Sequence, residues 1–369
     1  MKILYVASAS SIHSFRWIEY FAAAGHDVCW VSFRPLVFTP SVGIRYSELA
    51  EPRGSMFLPR VVKAVHQVRA LVKEFRPDLV HAHYAGVNGL VAALVGFRPL
   101  VVTAWGSDIV LVGRSPIRGH AVRWTLTRAD LITCDAEHLR RSMMDMGVGS
   151  GKIVRINFGT DLNVFSRREE VRDLRKGLGL NGLPVVISTR NLYRIYNVEL
   201  LLSAVPGVLA RTGAATFLIV GTGPEEDRLR RLAESLGVAA RVRFIGRVGQ
   251  AELAYYLSVA DVYVSTALSD GGLAASTAEA MACELPVVVT DIGENGKWVA
   301  NEENGFLVPT DDPAALADRI AFLLEHEAVR REFGKRNRSV IAERNSFGVE
   351  MGKMDAVYHR LLTRSASEH

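Results

Sequence analysis

Short runs of β-branched and aromatic residues alternate with amphipathic helical segments along nearly the whole chain. This alternation constrains the fold more than any other feature. In the first half the runs are KILYVAS (2–8), DVCWVSF (27–33), DLVHAH (78–83), PLVVTAW (99–105), ADLITCD (129–135) and KIVRI (152–156). In the second they are PVVISTR (184–190), ATFLIVG (215–221), VRFIG (242–246), DVYVST (261–266), PVVVTD (286–291) and GFLVP (305–309). Helical segments such as IHSFRWIEYFAAAG, YNVELLLSAVPGVLART and PEEDRLRRLAESLG lie between them. Strands that are apolar throughout and separated by helices belong in parallel sheets covered on both faces. The predicted class is therefore α/β.

A chain of 369 residues is too long for one ordinary core. The strands divide six and six around a polar, strand-poor stretch at about 157–183, where a domain boundary belongs. The expectation is two Rossmann-like, doubly wound parallel-sheet domains facing across a cleft, 1–165 and 166–346. A helical stretch covers 313–344. A last helix, about 347–363, has no strand after it and is expected to pack back on the first domain. Doubly wound sheets bind ligands at the carboxyl ends of their strands, where helix N-termini also point. Candidate residues are sought there.

Composition narrows the function classes. The chain is 49% hydrophobic and 22% charged, with a net charge of +5, as in a folded globular protein. Residues 1–165 hold 19 Lys and Arg against 12 Asp and Glu, a net +7, so the remainder is −2. A basic first half suits an anionic substrate or membrane surface. No stripe of basic and aromatic residues indicates nucleic acid. Cys29, Cys134 and Cys283 lie far apart with no C-x-x-C, which supports neither disulfides nor a zinc site and fits a reducing cytoplasm. The N-terminus reads as a first strand rather than a signal peptide. The most apolar stretch, GLVAALVGFRPLVVTAW, is broken at Arg98-Pro99 and reads as helix then strand, not a membrane span. The basic segment 59–77 is amphipathic; it suits either an anionic lipid surface, at the inner face of a membrane, or a plain surface helix.

After the first strand, SASSIH carries His13 where a dinucleotide fold would have glycines, so the dehydrogenase fingerprint is absent. A phosphate- or hydroxyl-binding turn at His13 and an ordinary helix cap at Ser11 both fit. His81 and His83 share one strand face; His81 reads as structural, and His83, at the strand end, is a candidate ligand contact. Gly106 and Asp108 follow another strand, in a cleft-lining loop or a capped turn. In the second half, Arg190 ends a strand and Arg194 lies in the next loop. An arginine between a strand end and a helix N-terminus suits a phosphate. Gly221 and Gly223 with Pro224 read as a helix start. Gly246, Arg247 and Val248 offer backbone against which a flat base can lie. Gly271 and Gly272 permit close approach of a ligand to the backbone ahead of a helix. Glu279, inside that helix, would repel a phosphate at its end, and a ribose diol is the natural partner. Phosphate at the helix end and sugar along the helix describe a nucleotide.

These residues, with EAMACELPVVVTDIGENGKWVANEENGFLVPTDDPAALADRI, VGTGPEEDRLRRLA, VRFIGRV, ADVYVS and FGTDLNVF, resemble the retaining GT-B glycosyltransferases of family 4 over nearly the whole length. The resemblance implies a Glu279 that binds the ribose of a nucleotide-sugar donor and an Arg190 that holds its diphosphate. It implies that the base is read by backbone at Val248 and that Gly272 and Leu273 N–H groups meet the distal phosphate. The sequence departs from the family at three places. The first acid of the E-x7-E motif falls at Gly271, with Asp270 one place early, where an insertion would let it reach the donor sugar. Tyr196 stands where the family has a lysine, leaving Arg194 as the second charge. Trp105-Gly106 replaces His-Gly, so a histidine contact is lost or comes from His83 or His13. The implied reaction moves a sugar, with retention, from a UDP- or GDP-linked donor to a hydroxyl of a glycan or lipid-linked acceptor, in cell-surface polysaccharide synthesis. No D-x-D appears, which implies metal independence, and no cofactor beyond the nucleotide-sugar substrate is expected. The alternative is a non-catalytic GT-B partner that binds a nucleotide sugar or glycan. An epimerase of the same fold is a third reading, against which the family-four pattern argues.

Overall fold

A computed structural model describes residues 1–40, 43–110, 116–180, 182–270 and 272–367. The chain divides into two compact units, one of Met1–Phe158 with Val349–His369 and one of Gly159–Gly348. Residues 159–165 group with the second unit for a local reason. The Thr160 N–H donates to the Asn345 carbonyl at 2.7 Å and the Phe347 N–H to the Thr160 carbonyl at 2.9 Å. Gly159, at φ +73°, lies so close to Phe347 that a Cβ would fall 2.5 Å from the Phe347 Cα.

The first unit holds a seven-stranded sheet of β1 (Lys2–Val6), β2 (Asp27–Ser32), β3 (Arg45–Glu48), β4 (Leu79–His83), β5 (Leu100–Thr103), β6 (Leu131–Cys134) and β7 (Ile153–Arg155). Their order is β3-β2-β1-β4-β5-β6-β7, and every pair is parallel. Six strands are expected from the sequence, and β3 is the seventh. It reads RYSE, pairs with β2 alone and has no buried residue. An edge strand needs no apolar run, so hydrophobic patterning does not reveal it.

The second unit holds β8 (Val185–Ser188), β9 (Thr216–Val220), β10 (Val242–Gly246), β11 (Val262–Ser265), β12 (Val287–Thr290) and β13 (Gly305–Val308). Their order is β10-β9-β8-β11-β12-β13, again all parallel. Alternate residues serve opposite faces. Val186, Phe217, Ile219, Val264 and Val288 enter one core cluster, while Val185, Ile187, Leu218, Tyr263 and Val287 enter another. A sheet buried on both sides accounts for the unbroken apolar runs.

Each sheet reverses its order of growth once, between β1 and β4 and between β8 and β11. Crossover helices diverge at these switch points and leave a crevice at the strands' carboxyl ends. The stretch 313–344 is two helices, Pro313–Glu325 and Glu327–Arg344, separated at His326. Asp312 caps the first by accepting from the Ala315 N–H, with Pro313 as its first residue, a helix start that needs no tertiary support. The last helix runs Phe347–Ser367, longer than the expected 347–363. Its buried Tyr358 hydrogen-bonds Tyr5 Oη at 3.1 Å and His81 Nδ1 at 2.5 Å. Among the described residues, no helix is long and apolar enough to cross a membrane.

Candidate functional site

In the second unit, β8 and β11 flank the switch point, so the loops that leave them converge. Arg190 lies two residues beyond β8 and Asp270 five beyond β11. Arg190 is 7% exposed. Its Nη2 donates to Asp270 Oδ1 at 2.5 Å and its Nη1 to Ser276 Oγ at 3.1 Å. Ser276 Oγ also accepts from Tyr263 Oη at 3.0 Å. The Tyr196 ring covers the guanidinium, 4.1 Å from Cζ to centroid, a cation–π contact that the planar guanidinium suits.

Glycines set how closely this loop lies against its neighbour. A Cβ on Gly221 would stand 2.6 Å from the Arg190 carbonyl oxygen, and one on Gly223 would stand 2.3 Å from that of Leu192. The Leu192 N–H donates to the Thr222 carbonyl at 3.0 Å, and the Glu225 N–H to the Leu192 carbonyl at 3.1 Å. The G-T-G-P-E run does lead into a helix, Glu226–Ser235. Its glycines also seat the arginine loop, a role visible only in tertiary structure.

Asp270 is expected at the donor sugar. Here its side chain is 10% exposed and paired with Arg190. Burial pushes its carboxyl above the usual range, opposed by the Arg190 charge and hydrogen bond. Gly272 and Leu273 occupy the approach to the helix Ala275–Ala282; Gly271 lies outside the described residues. Ser276 and Glu279 stand three residues apart on one helix face, about 4.5 Å along the axis. Glu279 is half-buried, so an anion at Arg190 and a diol at Glu279 fit one molecule lying along this helix. Arg194 is exposed in the short 3₁₀ turn Arg194–Tyr196. Arg247 is exposed and Val248 half-buried beyond β10. Strand β10 is two places from β8, about 10 Å at ordinary strand spacing. Gly246, at φ +83°, accepts from the Gly221 N–H at 2.8 Å, which ties that segment to the arginine loop.

In the first unit, His13 follows β1, His83 ends β4, and Gly106 and Asp108 follow β5. The first two strands flank the switch point. His13 packs at a tilt against Phe158, at 5.0 Å, and Trp105, at 5.6 Å. Burial and then the Arg16 charge lower its pKa to about 4, so the ring is neutral at pH 7. Ser11 Oγ accepts from the Ser14 N–H, so the helix-cap reading holds for this turn. His83 is 1% exposed. Its Nδ1 is hydrogen-bonded to Ser14 Oγ at 3.1 Å, and burial lowers its pKa to about 3. His81 is enclosed between Tyr358 and Thr103, a structural histidine as expected.

Asp108 corrects an expectation. Rather than lining an open loop, it is fully buried and accepts from the Ala85 N–H at 2.7 Å and the Trp105 N–H at 3.0 Å. It clamps the turns after β4 and β5 by accepting from one backbone donor of each. Burial raises its carboxyl pKa against the pull of those amides. Gly106, at φ +103°, permits the turn.

Sequence reasoning missed Ser276 as a partner of Arg190 and Tyr263 as the donor that holds Ser276. A small residue in a first helical turn and a tyrosine inside a strand carry no local signal of shared contact. Tyr196 as the cover of Arg190, and Trp105 and Phe158 as the cover of His13, were visible only as nearby aromatics.

The family described as Glycosyl transferases group 1 matches residues 170–340, and that described as Glycosyl transferase 4-like matches residues 2–136. The chain is 25% identical to N-acetyl-alpha-D-glucosaminyl L-malate synthase of Bacillus anthracis over 292 residues, 77% of this chain and 75% of that one. It is 28% identical over 245 residues to the GDP-mannose-dependent alpha-(1-6)-phosphatidylinositol monomannoside mannosyltransferase of Mycolicibacterium smegmatis, 64% of this chain and 63% of that one. Among solved structures, Anabaena HepE in complex with UDP superposes with a TM-score of 0.81 at 19% identity, covering 98% of this chain and 100% of that one.

Proposed function

Because the chain belongs to the group 1 glycosyltransferases, family 4, and has the GT-B fold of two parallel-sheet α/β domains, we propose that it transfers a sugar from a nucleoside diphosphate sugar to a hydroxyl with retention of anomeric configuration. The observation that carries this is the convergence of Arg190, Ser276 and Glu279 at the switch point of the second sheet. In this reading the bond between the anomeric carbon and the diphosphate oxygen breaks as the acceptor oxygen bonds to the same face. The acceptor proton passes to the departing diphosphate. Negative charge grows on phosphate oxygens, so preorganised positive charge is the main catalytic resource. Arg190, Arg194 and the N–H groups of Gly272 and Leu273 supply it, and Glu279 holds the ribose diol.

The acceptor is a hydroxyl of a glycan or lipid-linked molecule in cell-surface polysaccharide synthesis, bound on the first unit with His13 and His83 near it. A relative named for phosphatidylinositol mannoside supports the lipid-linked class. Contact with an anionic membrane surface is supported by the helix Phe57–Phe75, which exposes Leu58 (70%) and Val62 (53%) beside basic residues. Metal-independent transfer is supported by the lack of a D-x-D sequence suited to a metal–diphosphate bridge.

The named relative uses GDP-mannose and HepE holds UDP, so the donor panel includes both bases. Slow donor hydrolysis is expected with at least one uridine or guanosine diphosphate sugar. Arg190→Ala is expected to lower it by about 10²–10³-fold. Unchanged turnover in that variant removes Arg190 from the mechanism. Donor binding by calorimetry without turnover on any acceptor supports the non-catalytic alternative instead.

A further inference from the structure

Arg190 and Asp270 form a buried ion pair that is only half completed. One hydrogen bond joins them, Nη2 to Oδ1 at 2.5 Å. Their side chains are 8% and 10% exposed. Arg190 Nε and Asp270 Oδ2 are both buried without a hydrogen-bond partner. Two buried charges offset their desolvation only when geometry is good and the remaining donors and acceptors are satisfied. This pair leaves one orphan on each side. Ser276 and the Tyr196 ring hold the guanidinium in place independently of Asp270. The arginine can therefore change its anion without changing its position.

We propose that Asp270 is the internal counter-ion of Arg190, displaced from the guanidinium when the donor diphosphate binds, and that this competition makes the site selective for diphosphates over a single phosphate. The proposal rests on the donor-site reading above. A carboxylate already on the arginine sets a threshold that an incoming anion must exceed. A diphosphate brings more negative charge than a single phosphate and more oxygens for the surrounding donors once Nη2 and Nε are satisfied, so it gains more by displacing the carboxylate. Asp270 is thus a positioning and selectivity residue. Its place one residue ahead of the family acid turns it toward the arginine rather than the sugar.

Asp270→Asn tests this, because it keeps the shape and removes the charge. Inorganic pyrophosphate, inorganic phosphate, UDP, GDP and UDP- and GDP-linked sugars are titrated calorimetrically into the full-length wild type and the variant. Asp270→Ser is a second variant, and circular dichroism establishes that each is folded. Removing one partner of a buried pair leaves the other charge uncompensated, and a bound anion then restores what was lost. The expected result is at least about tenfold tighter binding of pyrophosphate and the diphosphates. Inorganic phosphate gains more, so the discrimination narrows. Adding Arg190→Ala to either variant abolishes the gain. Unchanged or weaker diphosphate binding in a folded variant overturns the proposal. So does a gain that survives loss of Arg190. Weakened binding of nucleotide sugars with unchanged diphosphate binding also overturns it and makes Asp270 a sugar ligand. If wild type and variants alike bind none of the anions, the donor-site reading falls together with the proposal.

Discussion

Burying an arginine costs free energy unless its donors find partners, and the partners of Arg190 come from three places: the loop after β11, the first turn of the helix Ala275–Ala282, and a ring in its own loop. Glu279 shares the helix face with Ser276, so the proposed reading assigns two recognition tasks to one axis. The division can be measured. Glu279→Gln is expected to weaken UDP or GDP binding about tenfold or more, on the scale of a lost charge-assisted hydrogen bond. It leaves pyrophosphate binding unchanged, because pyrophosphate has no ribose. Equal losses for both ligands would place Glu279 near the phosphates. At this scale the sequence showed the acid, the glycines and the arginine, because each stands directly after a strand or inside a helix start. It did not show that Asp108 faces two backbone amides or that Asp270 faces Arg190. Both depend on which loops the sheet order brings side by side.

Among the elements, the loops after β8 and β9 lie against each other with no side chain between them at Gly223. Gly223 sits where a Cβ would stand 2.3 Å from the Leu192 oxygen, so backbone, not a flexible side chain, must move. Gly223→Ala is therefore expected to shift the arginine loop. Diphosphate affinity should fall at least about tenfold, with a loss of stability of about 1–3 kcal/mol, read by calorimetry and urea denaturation. A variant with normal affinity would show that the loop's approach to Gly223 does not position Arg190. The same logic holds at Gly334, where a Cβ would fall 2.0 Å from the Glu284 oxygen. The helical pattern of 327–344 was legible in the sequence. That one of its glycines serves a close crossing was not, since a glycine inside a helix looks locally like a weak point.

For the whole molecule, the two units differ in what titrates inside them. The buried histidines belong to the first unit. The pKa of His13 is lowered to about 4 and that of His83 to about 3, with His81 lowered as well, burial being the main cause in each. A histidine whose folded pKa lies below its unfolded value near 6.5 binds fewer protons when folded. Its stabilising contribution is complete above pH 6.5 and is lost as pH falls toward the folded pKa. Acidification from pH 6.5 to 4 is therefore expected to lower the urea midpoint of the first unit. Trp17, Trp30, Trp105 and Trp124 lie in that unit and only Trp298 in the second, so tryptophan fluorescence follows it. A midpoint that does not change over this range would contradict the enclosure of these rings. Asp270 works in the opposite sense. Its folded pKa is raised, so its cost is present above that pKa and relieved as pH falls through it. The second unit should tolerate mild acid better than the first.

The sequence by itself determined the class of fold and the number of sheets, and it supplied the residues on which the proposed ligand site rests. Continuous apolar runs admit only sheets buried on both faces, and glycine, arginine and glutamate after such runs admit few chemistries. Tertiary structure alone decided the seventh strand, the strand order and the partners of each charged side chain. An edge strand needs no apolar pattern, and strand order is set by packing between segments far apart in the chain. Asp270 and Arg190, 80 positions apart, become partners because β8 and β11 are neighbours in the sheet, a fact that no local stretch of sequence contains.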